Sequence, residues 1–408
     1  MNLLSSISKG IASLFHNNRF FISILYQLGY RGEVWISTDD VKQIYEEIPQ
    51  AKIVIEKFAN LFSNAEIYIE RKEGKDWVKV DNHPAYETIY QPNFDQGQNT
   101  FYKDLAIKYN IYGNNFQYFN KPSSVGGVVG RFNMSPRYLK PILTGKYFDQ
   151  IEMKGVVSGY IYEDSMTTKK PIDVKDILWI KNADVDNPLL GVSKLVTLKY
   201  PMSTVKGSYS YLNAVINNKG MLGFIVNKSV ESGGTKPMSQ EDKDKLNKQY
   251  SQDYGHGDGQ IPFAVLNGDA DFKNTSYPVK EMMLFDTIEH GIVVAAHMYG
   301  INPNLFLTNT TFENLKSGLV HTYQDSIIPF ADMVSQNETK KFIELGILKP
   351  NERTRFSYEH LEILQESKLS GVAAIERAIS ALNNAVANGL MTIAEAKPII
   401  DRLIITIS

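Results

Sequence analysis

The 408-residue chain contains no cysteine. This absence excludes disulfide-stapled scaffolds, zinc ribbons, iron–sulfur clusters and thiol catalysis. An excess of charge of one sign is also missing, because 43 Lys and Arg residues stand against 45 Asp and Glu residues, a formal net charge of −2. A chain so close to neutral is neither a polybasic nucleic-acid binder nor an acidic tail protein.

Long hydrophobic runs are absent as well. Within the first 32 residues the longest, residues 20–26, is interrupted by Ser23 and is far shorter than the ~20 apolar residues that a membrane-spanning helix needs. Hydrophobic residues make up 43% of the chain and charged residues 22%, close to globular averages. The composition therefore predicts a folded, soluble chain of two or three domains, or of one elaborated domain.

The first 32 residues have a composition of their own. They contain no acidic side chain, and their only charged residues are Lys9, Arg19 and Arg31. A basic segment with apolar residues at helical spacing is compatible with a transit peptide or a membrane-surface helix. Because no small-residue cleavage site follows an uninterrupted apolar core, the favoured interpretation is a helix that docks on its own or a neighbouring domain.

Up to about residue 190 the pattern alternates between short helices and hairpins. A cluster of N-cap residues at 37–40 predicts the start of a helical region, and this region resumes at 48–64. Gly74 lies between two runs with a period of two, which predicts a hairpin. The expected class is α+β with mostly antiparallel strands. The other predicted segments are a helix at 101–109 and strands at 66–71, 77–80, 115–120, 128–133, 159–162 and 176–180.

The clearest periodicity in the chain follows. Seven residues step by three and four, which is the spacing of a helical seam that faces other helices. A continuous helix over 192–219 would be ~40 Å long at ~1.5 Å per residue. Pro201 lies inside it and predicts a kink or a break into two helices. The seam residues are Leu195, Leu198, Met202, Val205, Tyr209, Leu212 and Ile216.

A small module separates this helix from a second long one. Short strands at 221–226 and 262–266, a loop at 233–234 and a charged helix at 241–249 are predicted within it. After Pro278 a second long helix begins and ends at Gly300. One face of that helix carries Leu284, Ile288, Ile292, Ala295 and Tyr299. Two long helices that bracket a compact module indicate that the module stands away from the body.

The remainder is predicted to be mostly helical. An uncharged polar loop at 307–311 precedes a helix that runs from Glu313 toward Met333 and passes through Pro329. A further helical seam covers 372–386 and should stop at Gly389. Thr392 and Glu395 form a capping box for a last helix.

Sequence motifs for catalysis are missing. The chain has no G-x-x-x-x-G-K-[ST], no G-x-S-x-G and no H-E-x-x-H. The glycine-rich stretch 126–131 lacks the spacing of a phosphate loop and is typical of a hairpin turn. The acidic pairs at 39–40 and 46–47 are typical of helix caps and solvated helix faces. We therefore predict no catalytic, cofactor-binding or metal site.

The seven histidines are scattered. Only His290 and His297 share a predicted helix, with Asp286 four residues before the first. Two helical turns, ~10 Å, are too far for one zinc ion to be held by that pair alone. A structural or channel-facing role is favoured for them over metal binding or acid–base catalysis. His256 and Asp258 form a possible dyad in a glycine-rich loop, but no nucleophile lies near them in sequence.

Several local motifs together resemble tailed-bacteriophage portal proteins, the head-to-tail connectors, of the shorter class. The helix-to-strand step at 109–116 resembles that family's "G-N-x-aromatic" motif, and 188–195 resembles its "G-x-S-x-L" start of a long helix. Residues 133–138 resemble the end of one of the family's strands. Residues 296–303 are similar to its "phenylalanine, glycine, valine, proline" turn, with Tyr in place of Phe, Ile in place of Val and one Asn inserted before the Pro. The helix at 311–329 is similar to "N-x-E … T-L-x-P". Their order of occurrence carries the resemblance.

The resemblance implies a portal-like α+β fold with an α/β wing, two long stem helices, a small α/β clip and a helical crown. The implied divisions are a wing at 1–190, stem helix 1 at 191–219, a clip at 220–278, stem helix 2 at 279–300, a tunnel-loop region at 301–317, a wing helix and return strand at 318–368, and a crown at 369–408. The tunnel loop would contain Thr308, Asn309, Thr310 and Thr311.

The family's function is implied in the same way. Its members form dodecameric rings at one capsid vertex of the virion, assembled in the bacterial host cytoplasm. Double-stranded DNA passes through the centre, and the implied protein partners are the terminase large subunit, the major capsid protein and a head–tail adaptor. No membrane, cofactor or metal is implied.

Elementary physics agrees with this function. Long seams can pack side by side around a closed ring, and a loop of Thr and Asn without cations would hold a passing polyanion only weakly. The alternatives are an α+β enzyme with a site at His290 or His256, assembled from residues distant in sequence, or a protein associated with a membrane through residues 1–32.

Overall fold

A computed structural model of the chain describes fourteen stretches of residues. These are 39–122, 127–143, 156–164, 169–185, 191–217, 223–227, 230–231, 234–235, 239–241, 243–245, 270–274, 283–388, 391–393 and 395–399. Several predictions concern residues outside these stretches. They are the helix within residues 1–32, the strand at 262–266, the pair His256 and Asp258, and the helix stop at Gly389. The chain divides into two compact units, Met1–Lys199 with Ile292–Ser408, and Tyr200–Gly291.

Helices dominate the part of the chain that the structure describes. They are α1 (Asp39–Glu47), α2 (Pro49–Ser63), α3 (Ala85–Tyr90), α4 (Gln98–Tyr112), α5 (Lys194–Asn217), α6 (Leu284–Tyr299), α7 (Phe312–Thr322), α8 (Ile328–Glu344) and α9 (Glu362–Ala387).

The strands are short and pair only antiparallel within the described residues. They are β1 (Glu66–Glu73), β2 (Asp76–Val80), β3 (Asn114–Asn120), β4 (Gly130–Met134), β5 (Leu139–Leu143), β6 (Val157–Tyr162), β7 (Lys170–Ile172), β8 (Ile177–Lys181), β9 (Gly223–Asn227), β10 (Val230–Glu231), β11 (Gly234–Thr235), β12 (Ala270–Asn274) and β13 (Glu352–Ser357). Their order within the sheets is β13-β1-β2, β4-β3-β8, β5-β6-β7, β12-β9 and β10-β11. The predicted α+β class is confirmed.

The core of the first unit lies where α2 and α4 pack together under the sheet β13-β1-β2. Phe62 contacts the rings of Tyr102 and Phe356, at centroid distances of 6.2 and 5.7 Å. Phe330 of α8 packs edge-on against Phe62 at 4.8 Å. These large side chains are almost fully buried and contribute ~1.5–3 kcal/mol each through the hydrophobic effect.

The predicted hairpin at 66–80 is confirmed, with Gly74 at a φ of +67° between β1 and β2. Strand β13 returns from far along the chain and pairs with β1 along its length, from Glu66 opposite Ser357 to Arg71 opposite Glu352. A local sequence pattern cannot specify such a pairing, since the two strands are separated by more than half of the chain.

Two prolines lie inside helical segments and have different effects. Helix α5 is continuous through Pro201, so the predicted alternative of a break into two helices is wrong. Around Pro329 the helix is instead interrupted, because a π-helical turn at Tyr323–Ile327 joins α7 to α8. Such a turn adjusts the backbone where a proline lacks its N–H and would clash with the preceding turn.

The second unit contains the middle of the chain. Strand β9 overlaps the strand that was predicted at 221–226. It pairs with β12, for which the sequence predicted no strand. Gly234, predicted to be in a loop, begins β11 instead and pairs with Glu231. On the long helices, a Cβ at Gly291 would lie 2.3 Å from Cγ2 of Val205, so the two helices approach closely at this glycine.

The C-terminal region is helical as predicted. Helix α9 begins at Glu362, so the proposed boundary between wing and crown at 368/369 falls inside one helix. The capping box is confirmed, because the backbone N–H of Thr392 donates to Glu395 Oε2 at 2.9 Å and the N–H of Glu395 donates to Thr392 Oγ1 at 3.4 Å.

Candidate functional site: the start of α5, the end of α6 and the loop that follows

Two glycines let the backbone cross itself immediately before α5. Gly113 ends α4 with a φ of +67°, and a Cβ there would lie 2.2 Å from the carbonyl carbon of Val192. At Gly191 a Cβ would lie 2.1 Å from the carbonyl oxygen of Gly113. Because real Cβ contacts do not reach such distances, only glycine fits at either position. The two segments that resembled portal motifs in sequence therefore meet in space.

Asn114 fastens this crossing. Its buried side-chain amide donates to the carbonyl oxygens of Gly191 at 2.8 Å and Tyr112 at 3.0 Å. Its Oδ1 accepts from the Gly191 N–H at 3.1 Å and from Trp179 Nε1 at 3.0 Å. All four hydrogen-bonding positions of the side chain are thus used, which fixes the backbone just before α5.

Ser193 starts the helix. Its hydroxyl donates to the carbonyl oxygen of Ile111 and accepts from the N–H of Leu195 at 3.1 Å. Asn182 adds a second tie, since its side-chain amide donates to the Val192 carbonyl at 2.9 Å. The first residues of α5 are therefore held by hydrogen bonds to α4 and to Asn182, which follows β8, and no local sequence signal predicts these contacts.

Helix α6 ends in a Schellman motif. The N–H of Ile301 donates to Ala296 O at 2.9 Å, and the N–H of Gly300 donates to His297 O at 3.1 Å. Gly300 has a φ of +67°, as the predicted stop requires, and its carbonyl accepts from Ser326 Oγ at 2.7 Å. The turn is thus held against the π-helical segment before α8.

Tyr299 joins the end of α6 to α4. Its buried hydroxyl donates to the carbonyl oxygen of Asn110 at 3.0 Å, and burial raises its pKa well above the ordinary tyrosine value. The phenol therefore remains a neutral donor. Lys194 Nζ lies 5.3 Å from the centre of the same ring, and burial lowers the pKa of that lysine.

The loop between α6 and α7 is anchored at both ends. Asn302 accepts from the N–H of Asn304 at 3.0 Å, and its own N–H donates to Thr322 Oγ1 at 3.0 Å. At the other end Thr311 caps α7 by accepting from the Asn314 N–H at 3.3 Å. No Asp, Glu, Lys or Arg occurs from 298 to 312.

The four predicted tunnel-loop residues differ in their surroundings. Thr308 and Asn309 are exposed, Thr310 is half-buried, and the hydroxyl of Thr311 is used as the helix cap. The segment therefore presents neutral hydrogen-bonding side chains on a backbone held in place at each end. Their contact with DNA stays a prediction.

The predicted stem seam is buried along only part of its length. Leu195, Leu198, Met202 and Val205 are almost fully buried. Further along α5, Tyr209 is 41% exposed and Ile216 is 73% exposed, while Leu212 is half-buried. The apolar stripe of α5 thus continues past Val205, and in the single chain its later side chains are exposed.

The histidines considered as catalytic candidates do not form a site in the part of the chain that the structure describes. His290 and His297 are both exposed on α6. Among described residues no group of three or more potential metal ligands occurs. None of the described helices combines the length and the apolar character needed to cross a lipid bilayer.

The chain matches the family model for phage portal proteins over residues 51–401. A comparison with curated protein sequences finds no match. Among solved structures, the chain is similar to the neck of an empty gene transfer agent particle computed with C6 symmetry, with a TM-score of 0.64, 16% identity, and coverage of 86% of this chain and 94% of that one.

Two further structures are similar. The neck of the native gene transfer agent particle, computed with C12 symmetry, matches with a TM-score of 0.62 and 16% identity, covering 92% of this chain and 97% of that one. An HK97 family phage portal protein from Corynebacterium diphtheriae matches with a TM-score of 0.51 and 11% identity, covering 80% of this chain and 96% of that one.

Proposed function

The chain belongs to the phage portal protein family, and on this premise we propose that it forms a ring at one capsid vertex and conducts double-stranded DNA during packaging and ejection. In this proposal the ring docks the terminase large subunit, the major capsid protein and a head–tail adaptor in the virion, after assembly in the host cytoplasm. The chain itself carries no catalytic residue, and the ATPase chemistry resides in a partner.

The observation that carries the proposal is the unequal burial of the seam on α5. Met202 and Val205 are covered within the chain, whereas Tyr209 and Ile216 are exposed. Exposed apolar side chains that continue a buried stripe indicate a surface that a partner covers. A head-to-tail contact repeated around a closed ring covers such a stripe on every subunit and leaves no free end.

The proposed number of subunits is twelve. The neck to which this chain is similar was computed with C6 symmetry in one case and with C12 symmetry in another. Twelve subunits are compatible with both, because a twelve-fold ring also has six-fold symmetry.

The loop from Thr308 to Thr311 supports passage of DNA rather than capture. Each phosphate neutralised by Lys or Arg adds salt-dependent affinity, which would slow a moving duplex. The absence of Asp, Glu, Lys and Arg from 298 to 312 avoids this cost. Thr and Asn side chains on an anchored loop can contact DNA without reading its sequence.

Ring formation is tested by changing the exposed part of the seam. Wild-type protein is expected to form large rings with a central hole in negative-stain images and mass photometry. Tyr209→Asp combined with Ile216→Asp should give small species with an unchanged helical circular dichroism spectrum. The matched control is Ile53→Asp on α2, where the side chain is 48% exposed. A wild-type protein that stays monomeric at high concentration would contradict the proposal.

The role of the loop is tested in assembled particles. Thr308→Lys places a cation on the loop and should reduce DNA packaging and ejection while leaving the ring intact. Asn60→Lys, at an exposed position of α2, serves as the control for an added charge. Unchanged packaging and ejection in Thr308→Lys would show that the loop does not line the path of the DNA.

A further inference from the structure

The outer face of the sheet β13-β1-β2 carries an unusual group of side chains. Residues directly opposite each other in neighbouring strands lie on one face of a sheet. The register pairs Glu70 with both Arg353 and Lys79, Tyr68 with Arg355, and Lys72 with Trp77. Basic side chains therefore collect around two aromatic rings on this face.

The cations lie directly over these rings. The guanidinium of Arg353 is 4.0 Å from the centre of Trp77, and Lys79 Nζ is 4.9 Å from the centre of Tyr68. Arginine stacked on tryptophan is a combination enriched in the energetic centres of protein interfaces.

The charge on this face is biased although the chain is close to neutral. Four basic residues share it with the two carboxylates Glu66 and Glu70, and Asp332 of α8 adds a third carboxylate that pairs with Arg355 at 3.0 Å. Arg353 pairs with Glu70 at 2.6 Å, but the side chain of Glu70 is only 13% exposed while that of Arg353 is 36% exposed. Glu70 is thus recessed beneath an outward-facing guanidinium. With Lys340 of α8 counted, five basic side chains stand against the carboxylates of Glu66, Glu70 and Asp332, so this surface has a net positive charge.

A groove of about 540 Å³ continues this face along α8. Its walls include Trp77, Arg353 and Arg355, with Asp332 and Lys340 from α8. The helical wall extends from Asp332 to Ile343, about 16 Å at ~1.5 Å per residue, which matches about five residues of extended polypeptide.

The floor of the groove is closed to strand addition at its middle. The N–H of Thr354 donates to Thr339 Oγ1 at 3.0 Å, and the carbonyl of Thr354 accepts from the hydroxyl of Ser335. These two hydroxyls from α8 occupy both backbone groups of Thr354, in the middle of β13. A partner must therefore be recognised through its side chains, not by extending the sheet.

From these observations we propose that the groove between α8 and the outer face of β13-β1-β2 binds an acidic segment of another protein. Its carboxylates pair with Lys340 and Arg353 and compete with Asp332 for Arg355, and an apolar side chain packs against the edge of Trp77, whose face Arg353 covers. An acidic polypeptide is favoured over nucleic acid because Arg353 and Lys79 already occupy ring faces that bases would need for stacking. The proposal is independent of the ring and of DNA passage.

The test uses the full-length protein and a fluorescein-labelled short peptide that contains several Asp and Glu residues and one Leu. Its anisotropy titration is compared with that of the same peptide carrying Asn and Gln in place of the acids. The acidic peptide is expected to bind at low salt and to weaken as salt is added. Lys340→Glu with Arg353→Glu should reduce its affinity about tenfold or more.

The control variant is Lys52→Glu on α2, whose lysine is exposed and also lies near an aromatic ring, Tyr45 at 5.7 Å. It should bind the peptide like wild type. Trp77→Ala should also weaken binding, since it removes the apolar contact while leaving the charges in place.

Several results would overturn the proposal. The acidic peptide could fail to bind at concentrations up to about 1 mM at low salt, or the neutral peptide could bind equally well. The double variant could bind the acidic peptide as tightly as wild type does. An oligothymidylate could bind more tightly than the peptide and displace it. A change in oligomeric mass in Lys340→Glu with Arg353→Glu would assign the groove to contacts between copies of this chain and would likewise overturn it.

Discussion

Arg131 and Glu338, 207 positions apart in sequence, form an ion pair of 2.9 Å in which neither side chain is exposed. Tyr102 completes a triangle, accepting from Arg131 at 2.6 Å and donating to Glu338 at 2.9 Å. Gln117 donates to the same carboxylate at 3.1 Å, and the guanidinium lies 4.4 Å from the ring of Phe101. Such additional contacts offset the cost of burying an ion pair, and of the guanidinium nitrogens only Nε of Arg131 makes no hydrogen bond within the described residues. The network ties β3 and β4 to α4 and α8.

Removing one partner of this pair is expected to be strongly destabilising. Glu338→Gln leaves Arg131 buried without its counter-charge and should lower the free energy of unfolding by about 3–5 kcal/mol. Urea unfolding followed by circular dichroism measures the change. The half-exposed pair of Arg355 and Asp332 supplies the control, because Asp332→Asn should cost less than about 1 kcal/mol. Equal losses in the two variants would contradict the prediction.

Gly113 is expected to tolerate no side chain. Gly113→Ala brings a Cβ against the backbone of Val192 and strains a residue at φ +67°. Gly74 has the same φ with no atom within 4 Å, so Gly74→Ala isolates the cost of the backbone conformation, about 1–2 kcal/mol. Gly113→Ala should exceed it by about 1–3 kcal/mol. Thermal unfolding compares the two, and similar melting temperatures would show that the crossing relaxes without cost.

Two glycines in the long helices should respond to alanine with opposite signs. Gly207 on α5 has no atom within 4 Å of a new Cβ, so Gly207→Ala should stabilise the helix by about 0.5–1 kcal/mol. At Gly291 the new Cβ would meet Val205, and Gly291→Ala should destabilise by about 1–3 kcal/mol. Hydrogen exchange of amides in α5 and α6 reports both changes. Stabilisation by Gly291→Ala would show that Val205 can move aside.

The stability of the first unit should depend on pH through Glu352. Burial raises the pKa of this carboxyl, but the Lys349 N–H at 2.8 Å, Arg71 and His83 outweigh burial and hold the pKa below its ordinary value. A lowered pKa in the folded state means that the contribution is complete above the unfolded pKa of ~4.3 and is lost as pH falls through the folded value.

Glu352→Gln should therefore destabilise the protein at pH 7, and the difference from wild type should shrink below about pH 4. Urea midpoints measured between pH 7 and pH 3 give this difference. Glu87→Gln, at an exposed position, is the control and should change stability little throughout. A difference for Glu352→Gln that stays constant with pH would contradict this account.

Pro201 illustrates the limit of local sequence rules. Proline inside a helix removes one hydrogen bond and costs ~3 kcal/mol, and the sequence alone predicts a kink or a break. Helix α5 is nevertheless continuous, because Leu198, Met202 and Val205 on either side of Pro201 are almost fully buried. Burial of these three side chains contributes ~1.5–3 kcal/mol each, which outweighs the loss.

The sequence by itself determined the elements whose signals are local. The hairpin around Gly74, the stop at Gly300 and the capping box of Thr392 and Glu395 each depend on residues a few positions apart, and their conformational preferences act before any tertiary contact forms.

Only the tertiary structure decided which distant segments meet. The pairing of β13 with β1, the crossing of Gly113 and Val192, the ion pair of Arg131 and Glu338, and the basic groove along α8 all join residues separated by tens to hundreds of positions. The same holds for the seam of α5, whose period is visible in sequence although its division into a buried and an exposed part is not. Such contacts depend on the packing of the whole chain, and no local period encodes that packing.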